Sequence, residues 1–139
     1  MKKREQEHLI EEAKKAREQA YAPYSGFMVG AALLTEDGTI YRGCNIENVA
    51  YSPSNCAERT AFFKAISEGH RSFVAIAIVG GKEGEQEEEW NVTPPCGVCR
   101  QVMAEFCKED TFEILLWNPN TGIQCYALKE LLPLSFSTF

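Results

Sequence analysis

The sequence lacks an apolar run long enough to cross a membrane, and it lacks an excess of positive charge. Its formal net charge is -6, and only two of its 139 residues are histidine. The absence of about 20 consecutive apolar residues excludes a transmembrane helix. Sequence-independent nucleic-acid binding depends on cationic side chains, so the acidic balance disfavours a polynucleotide partner. We therefore expect neither nucleic acid nor membrane as a partner, but a small and weakly charged substrate.

The N-terminus also lacks the continuous apolar core of a secretory signal, because Lys and Glu are spread through it. We expect a cytoplasmic protein, in which the six cysteines serve as metal ligands or buried thiols rather than as disulfides. Hydrophobic residues make up 45% of the chain, and no repeat or linker interrupts it. We therefore expect residues 1-139 to form a single domain with a sizeable core.

The spacing of apolar residues predicts alternating helices and strands. An amphipathic helix over 4–21 precedes a hairpin whose strands, 27–34 and 39–44, are joined through Asp37-Gly38. The pattern then predicts a helix from Cys56 to near Gly69, a covered central strand over 73–79 bounded by Gly80-Gly81, a surface loop over 82–90, a helix from Cys96 to Cys107, strands over 112–117 and 123–126, and a helical piece over 127–132. This order indicates an α/β fold with a parallel crossover.

Two cysteines with the spacing of metal ligands stand where the helix after the acidic loop begins. Cys96 and Cys99 are three residues apart and follow Pro94-Pro95, and such a pair can bind one zinc ion. Cys56 offers a third thiol, and Glu58 is a carboxylate that can carry protons. Helix N-termini acidify thiols, so the sequence predicts three thiolates around Zn2+ with an open fourth position.

Arg59 lies three residues after Cys56 and hence on the same helix face. Three thiolates weaken the ability of zinc to acidify water, so we predict that Arg59 draws charge from the sulfurs. The simpler alternative for Arg59 is an ordinary surface arginine, and for Glu58 it is a solvated carboxylate at a helix start. For the cysteine pair the alternative is a structural zinc knuckle, although that site needs four protein ligands.

The two cysteine motifs occur together with three further stretches. The full set is Cys56-Ala57-Glu58-Arg59, Pro95-Cys96-Gly97-Val98-Cys99-Arg100-Gln101, Tyr21-Ala22-Pro23-Tyr24-Ser25, Val29-Gly30-Ala31-Ala32-Leu33 and Gly43-Cys44-Asn45-Ile46-Glu47-Asn48. Over nearly the whole chain, this set resembles the small homotetrameric zinc-dependent cytidine deaminases. The resemblance implies a three-layer α/β/α sandwich with a five-stranded mixed sheet. It also implies one Zn2+ per chain and hydrolytic deamination of cytidine and deoxycytidine to the uridine nucleosides and ammonia.

The same resemblance assigns roles to individual residues. It implies that Glu58 moves protons between water, the pyrimidine N3 and the leaving amine. It also implies that Phe27 stacks on the base and that the backbone around Ala57 meets the pyrimidine edge. Asn45 and Glu47 would hold the ribose hydroxyls. The alternatives from the residues themselves are that Phe27 is plain core and that Asn45 and Glu47 are turn residues.

Assembly and substrate identity depend on less specific signals. By the resemblance, Phe136 in the apolar C-terminal segment would reach a neighbouring subunit's site in a homotetramer with shared active sites. Two other functions remain open: a deaminase of another aminopyrimidine nucleoside, such as a blasticidin-type antibiotic, and a non-catalytic zinc-binding module. The acidic stretch 82–90 departs from the family pattern, and either a solvated surface or an altered access to the site would explain it.

Overall fold

A single mixed sheet runs through the molecule. In the computed structural model, which describes residues 1–139, its strands are β1 (Phe27–Thr35), β2 (Ile40–Cys44), β3 (Phe73–Lys82), β4 (Glu113–Asn118) and β5 (Gly122–Ala127). The five strands lie in the order β2-β1-β3-β4-β5. β3 and β4 are parallel, whereas the other neighbouring pairs are antiparallel.

Helices cover both faces of this sheet. They are α1 (Lys3–Arg17), α2 (Ala57–Ser67), α3 (Gly97–Phe106) and the short α4 (Leu128–Leu131). α1 packs on one face against the alternate strand residues Ala32, Ala75, Ala77, Val79 and Leu115. The residues between them face α2, α3 and α4 and include Leu33, Ile76, Ile78, Ile114 and Leu116. This alternation is the period-two pattern of strands covered on both sides, and it confirms the predicted three-layer α/β/α sandwich. None of the helices combines the length and apolar character needed to cross a bilayer.

The first helix is shorter than predicted. α1 ends at Arg17, although the apolar spacing continues to Tyr21. The backbone at Tyr21 is engaged elsewhere: its N–H donates to the carbonyl of Asn45 at 2.9 Å, and its carbonyl accepts from the N–H of Glu47 at 2.8 Å. These long-range bonds hold residues 18–26 against the loop after β2, which forms one side of the candidate site.

β3 is longer than predicted, because Gly80-Gly81 lies inside the strand and does not end it. A Cβ atom at Gly80 would stand 2.6 Å from Oγ1 of Thr93, and one at Gly81 would overlap the indole ring of Trp90. These glycines therefore permit close packing. Trp90 was also expected in a surface loop, but it is only 7% exposed and packs into the α1 side of the core. The rest of that loop contains one 3-10 turn, at Glu87–Glu89.

Candidate active site

Three thiols meet where two helices begin. Cys56 is the N-cap residue of α2, Cys96 is the N-cap residue of α3, and Cys99 lies in the first turn of α3. Their sulfur atoms all lie within 4.8 Å of one another, and Sγ of Cys56 is 3.7 Å from Sγ of Cys96. Zinc–sulfur bonds of about 2.3 Å in a tetrahedron place sulfurs about 3.8 Å apart. The three thiols therefore fit one zinc ion with three protein ligands, as the sequence predicts.

The protonation of these thiols is unequal. The pKa of Cys56 falls to about 5 because it accepts a hydrogen bond from Cys99 and faces the Arg59 guanidinium. The pKa of Cys99 is raised, because its thiol donates to Cys56 and is buried. One thiolate is thus favoured, and a second beside it is strongly disfavoured. A bound dication offsets this repulsion and permits three thiolates.

Arg59 lies beside the sulfurs, where the sequence places it. Its Nη2 is 3.3 Å from Sγ of Cys56, within the distance of a hydrogen bond to sulfur. Its Nε is buried without a hydrogen-bond partner, so the guanidinium is held in the site by its contact with sulfur. An arginine in solvent would not be oriented in this way. The geometry therefore suits withdrawal of charge from a thiolate ligand.

Glu58 is buried in the first turn of α2, next to the cluster. Its side chain is only 4% exposed, which argues against a solvated carboxylate. Burial, together with the negative charge of Cys56, raises the pKa of Glu58 to about 7. A carboxyl group that titrates near neutral pH can both accept and donate a proton. This placement suits a proton carrier beside a metal centre.

A cavity of about 270 Å3 opens beside the thiols. Its wall is formed by Val29, Asn45, Glu47, Ser54, Asn55, Cys56, Ala57, Glu58, Arg59, Thr93, Pro94 and Cys96. Three larger surface hollows, of about 560, 360 and 750 Å3, contain none of the three thiols. The cavity lies at the lower limit of ligand-pocket volumes, about 300 Å3. The chemistry of its wall, rather than its size, identifies it as the candidate site.

Both residues that the resemblance assigns to the ribose, Asn45 and Glu47, line this cavity. Asn45 accepts from the Val29 N–H at 2.9 Å and donates through Nδ2 to the Phe27 carbonyl at 2.8 Å. Glu47 accepts from the backbone N–H groups of Tyr24–Ser25 at 3.0 and 3.1 Å. Both side chains therefore hold the start of β1 and the preceding loop. Each keeps hydrogen-bonding capacity for a ligand as well.

Of the other predicted substrate contacts, one lines the cavity and two lie outside its wall. Ala57 is fully buried and lines the cavity. The Phe27 ring is 36% exposed and is not part of the cavity wall; it lies against Gly80, next to Thr93, which does line the cavity. Phe136 is 64% exposed and packs edge-on against Phe139, with 5.4 Å between ring centroids. Phe136 is not part of the cavity wall, so a single chain does not bring it to its own site.

Sequence reasoning missed the part played by Arg100. Its Nε donates to the Pro95 carbonyl at 2.8 Å, and its Nη1 donates to the Leu131 carbonyl at 2.6 Å. Arg100 thus ties the loop that carries Cys96 to the end of α4. Its position directly after Cys99 is visible in the sequence, but its partners are not. Thr93 and Pro94 also form part of the cavity wall, which their position before the cysteine pair does not reveal.

Comparison with known proteins identifies the same family as the resemblance of the sequence motifs. Residues 3–113 match the family model described as the cytidine and deoxycytidylate deaminase zinc-binding region. A cytidine deaminase from Sporosarcina psychrophila is 59% identical over 131 residues, which cover 94% of this chain and 90% of that protein. The cytidine deaminase of Halalkalibacterium halodurans is 54% identical over 129 residues, covering 93% and 92%. A crystal structure of cytidine deaminase from Burkholderia pseudomallei superposes with a TM-score of 0.83 at 48% identity, covering 98% and 100%. The chain therefore belongs to the cytidine and deoxycytidylate deaminase family of zinc-binding proteins.

Proposed function

We propose that this protein is a zinc-dependent hydrolase that converts cytidine and deoxycytidine to uridine and deoxyuridine with release of ammonia. One observation carries the proposal: the buried Glu58 carboxylate and two thiols of the three-thiol metal cluster, Cys56 and Cys96, line the same cavity as Asn45 and Glu47. A purely structural zinc site would need a fourth protein ligand and would leave Glu58 without a role. The two relatives named above are both named cytidine deaminase, which supports the proposal.

Within the site, we assign the chemistry to a few side chains. Cys56, Cys96 and Cys99 would hold one Zn2+, which when bound acts as a Lewis acid and makes water nucleophilic at neutral pH. Glu58 would take a proton from the attacking water, give it to N3 of the pyrimidine and later carry a proton to the departing amine. Each turnover consumes one water and releases one ammonia. Arg59 would stabilise the Cys56 thiolate throughout, since its guanidinium lies 3.3 Å from that sulfur.

Substrate binding would use the rest of the cavity wall. Asn45 and Glu47 would bind the ribose hydroxyls, and the backbone around Ala57 would contact the pyrimidine edge. Phe27 would stack on the base from the end of β1. The positions of Asn45, Glu47 and Ala57 in the cavity wall support these roles. The partly exposed Phe27 ring at the cavity edge is consistent with a stacking partner.

The small open cavity also supports shared sites in a homotetramer. The C-terminal segment exposes Leu134, Phe136 and Phe139, an apolar surface that calls for a cover. A Phe136 ring from a neighbouring subunit would close the cavity over a bound nucleoside. We place the reaction in the cytoplasm, where thiol ligands stay reduced, and in the salvage of pyrimidine nucleosides. The six cysteines are all free thiols, which agrees with that compartment.

A direct assay tests the function. The purified protein with its zinc content measured is incubated with cytidine, deoxycytidine and a blasticidin-type antibiotic, and ammonia release is followed. We expect turnover of both cytidine nucleosides. Faster turnover of the antibiotic would favour the alternative deaminase. A zinc-loaded protein that releases no ammonia from any of the three would contradict the proposal and favour a non-catalytic zinc-binding module.

A further inference from the structure

Arg17 and Trp90 form a stacked pair on the α1 face of the sheet. The guanidinium carbon Cζ of Arg17 lies 4.2 Å from the centroid of the Trp90 ring, within cation–π distance. Arg17 also donates from Nε to the Met28 carbonyl at 3.1 Å and from Nη2 to the carbonyls of Gly81 and Lys82 at 2.7 and 3.2 Å. One side chain therefore joins the end of α1 to the start of β1, the end of β3 and the segment before the cysteine motif.

The segment from Trp90 to Thr93 passes from one face of the sheet to the other. Successive residues of a strand face opposite sides, and the two glycines near the end of β3 mark both sides. Gly81 is covered by the Trp90 ring on the α1 side. Gly80 is covered by Thr93, whose Oγ1 would be 2.6 Å from an added Cβ, and by the Phe27 ring at 3.1 Å. The Arg17–Trp90 stack thus holds one end of a segment whose other end forms the cavity wall.

Ordinary core packing is the simpler explanation of Trp90, but two features go beyond it. The indole N–H of Trp90 is buried without a hydrogen-bond partner, so this tryptophan is held by its contacts rather than by a polar bond. The Arg17 guanidinium uses its planar fork on three carbonyls while stacking on the ring, which a lysine cannot do. Both features fix the position of the segment rather than merely fill space.

The geometry points to a role for both residues in substrate recognition. We propose that Arg17 and Trp90 are positioning residues that hold Phe27 and Thr93 against Gly80 at the edge of the cavity and thereby set the affinity for the nucleoside. Neither residue lines the cavity: Trp90 packs on the α1 face of the sheet, whereas Cys56 and Ala57 of the cavity wall pack on the opposite face. The inference depends on the proposed function, because the affinity concerned is that for cytidine. It also gives the acidic segment a structural role, since Glu87 within it pairs with Lys14 on α1 and the segment ends at Trp90.

The test compares five variants with the wild-type protein: R17M, R17K, W90L, W90F and the double variant R17M/W90L. Loss of a desolvated cation–π contact and of the positioning it provides should raise KM for cytidine about 5- to 30-fold. We expect kcat to change by less than about twofold, because the metal cluster and Glu58 do not contact the stack. Zinc content should stay at one per chain. The double variant should resemble the single variants, since both remove the same contact.

Arg42 supplies the matched control. It also ties α1 to the sheet, through a 2.9 Å ion pair with Glu12, but its side-chain bonds do not involve the segment from Trp90 to Thr93. R42M should therefore leave KM for cytidine unchanged. R17K keeps the charge without the fork, and W90F keeps a ring, so both give a measurable KM if R17M does not fold. We expect R17K to lie between the wild type and R17M, and W90F to lie near the wild type.

Several results would overturn the inference. An unchanged KM in R17K and W90L, whatever their thermal stability, would reduce the stack to a structural contact. An equal rise of KM in R42M would show that any loosening of α1 has the same effect. A fall in kcat at constant KM would assign the stack to the chemical step. If the wild-type protein does not deaminate cytidine at all, the proposed function fails instead, and the two failures are thereby distinguished.

Discussion

The metal centre and the ribose edge of the cavity are built in different ways. The metal centre, which we define as Cys56, Cys96, Cys99 and Glu58, lies at the N-termini of α2 and α3. The ribose edge is the name we give to Asn45 and Glu47, the residues proposed to bind the ribose. They lie in the loop after β2, and their hydrogen bonds run to distant backbone groups. The first depends on helix starts, whereas the second depends on loop contacts. Variants at the metal centre should therefore change zinc content or kcat, whereas variants at the ribose edge should change KM.

The largest effect is expected at the metal centre. Cys96→Ala removes one of three ligands, so the protein should lose its zinc and its activity together. Because the ion links the starts of α2 and α3, Tm should also fall by about 5 to 15 °C. Metal analysis and calorimetry check both effects. Cys125→Ala is the control, since this exposed thiol lies outside the cluster. A stoichiometric zinc content in Cys96→Ala would refute the ligand assignment.

Glu58→Gln should separate chemistry from metal binding within the same centre. Glutamine keeps the size of the side chain but cannot carry a proton. We expect kcat to fall about 100- to 10,000-fold, with zinc still at one per chain. Steady-state assays with cytidine, together with metal analysis, measure both quantities. Turnover near the wild-type level would return Glu58 to a structural role at the helix start.

The difference between local helix starts and long-range loop contacts also explains what the sequence could predict. A helix start after Pro95 and the three-residue spacing of Cys96 and Cys99 are local features, and the structure places the thiols together as those features predict. Arg59 follows from the same reasoning, because residues three apart share a helix face. Local spacing therefore predicted the geometry of the metal centre, while the catalytic roles of its residues stay predictions for the experiments above.

Contacts between distant segments were not predictable in this way. The apolar spacing continues past Arg17, but the backbone at Tyr21 bonds to the loop at 45–47, so α1 ends early. The pair Gly80-Gly81 is typical of a turn, yet it lies inside β3 because Trp90 and Thr93 pack on it. In each case the deciding partner is remote in sequence. Propensity indicates where a helix or strand can form, but tertiary contacts decide where it ends.

The C-terminal segment Ser135–Phe139 tests whether the active site is shared between subunits. If Phe136 covers a neighbour's cavity, deleting Ser135–Phe139 should weaken substrate binding by about one to three kcal/mol while the zinc stays bound. Size-exclusion chromatography with light scattering gives the mass, and KM for cytidine gives the affinity. Phe136→Leu is the milder variant, because it removes the ring but keeps the chain. A fully active monomer, whether intact or truncated, would rule out shared sites.

The smallest effect is expected at the ribose edge, from Glu47→Gln. The carboxylate accepts from the Ser25 hydroxyl and from the N–H groups of Tyr24–Ser25, and these bonds hold the pKa of Glu47 below its usual range. Glutamine offers one acceptor oxygen in place of two, so a ribose hydroxyl would lose part of its binding and KM should rise about 3- to 10-fold at neutral pH with kcat nearly unchanged.

The pH dependence of unfolding separates this ligand contact from the loop contact. Because folding lowers the pKa of Glu47, its contribution to stability is present above the ordinary glutamate pKa and is lost as pH falls through the lowered one. The difference in unfolding free energy between wild type and Glu47→Gln should therefore shrink in acid, as urea titrations at several pH values would measure. Zinc loss in acid affects both proteins alike, so the difference isolates Glu47. If KM does not change while the stability difference follows this pH dependence, Glu47 holds the loop at Tyr24–Ser25 without contacting the ribose.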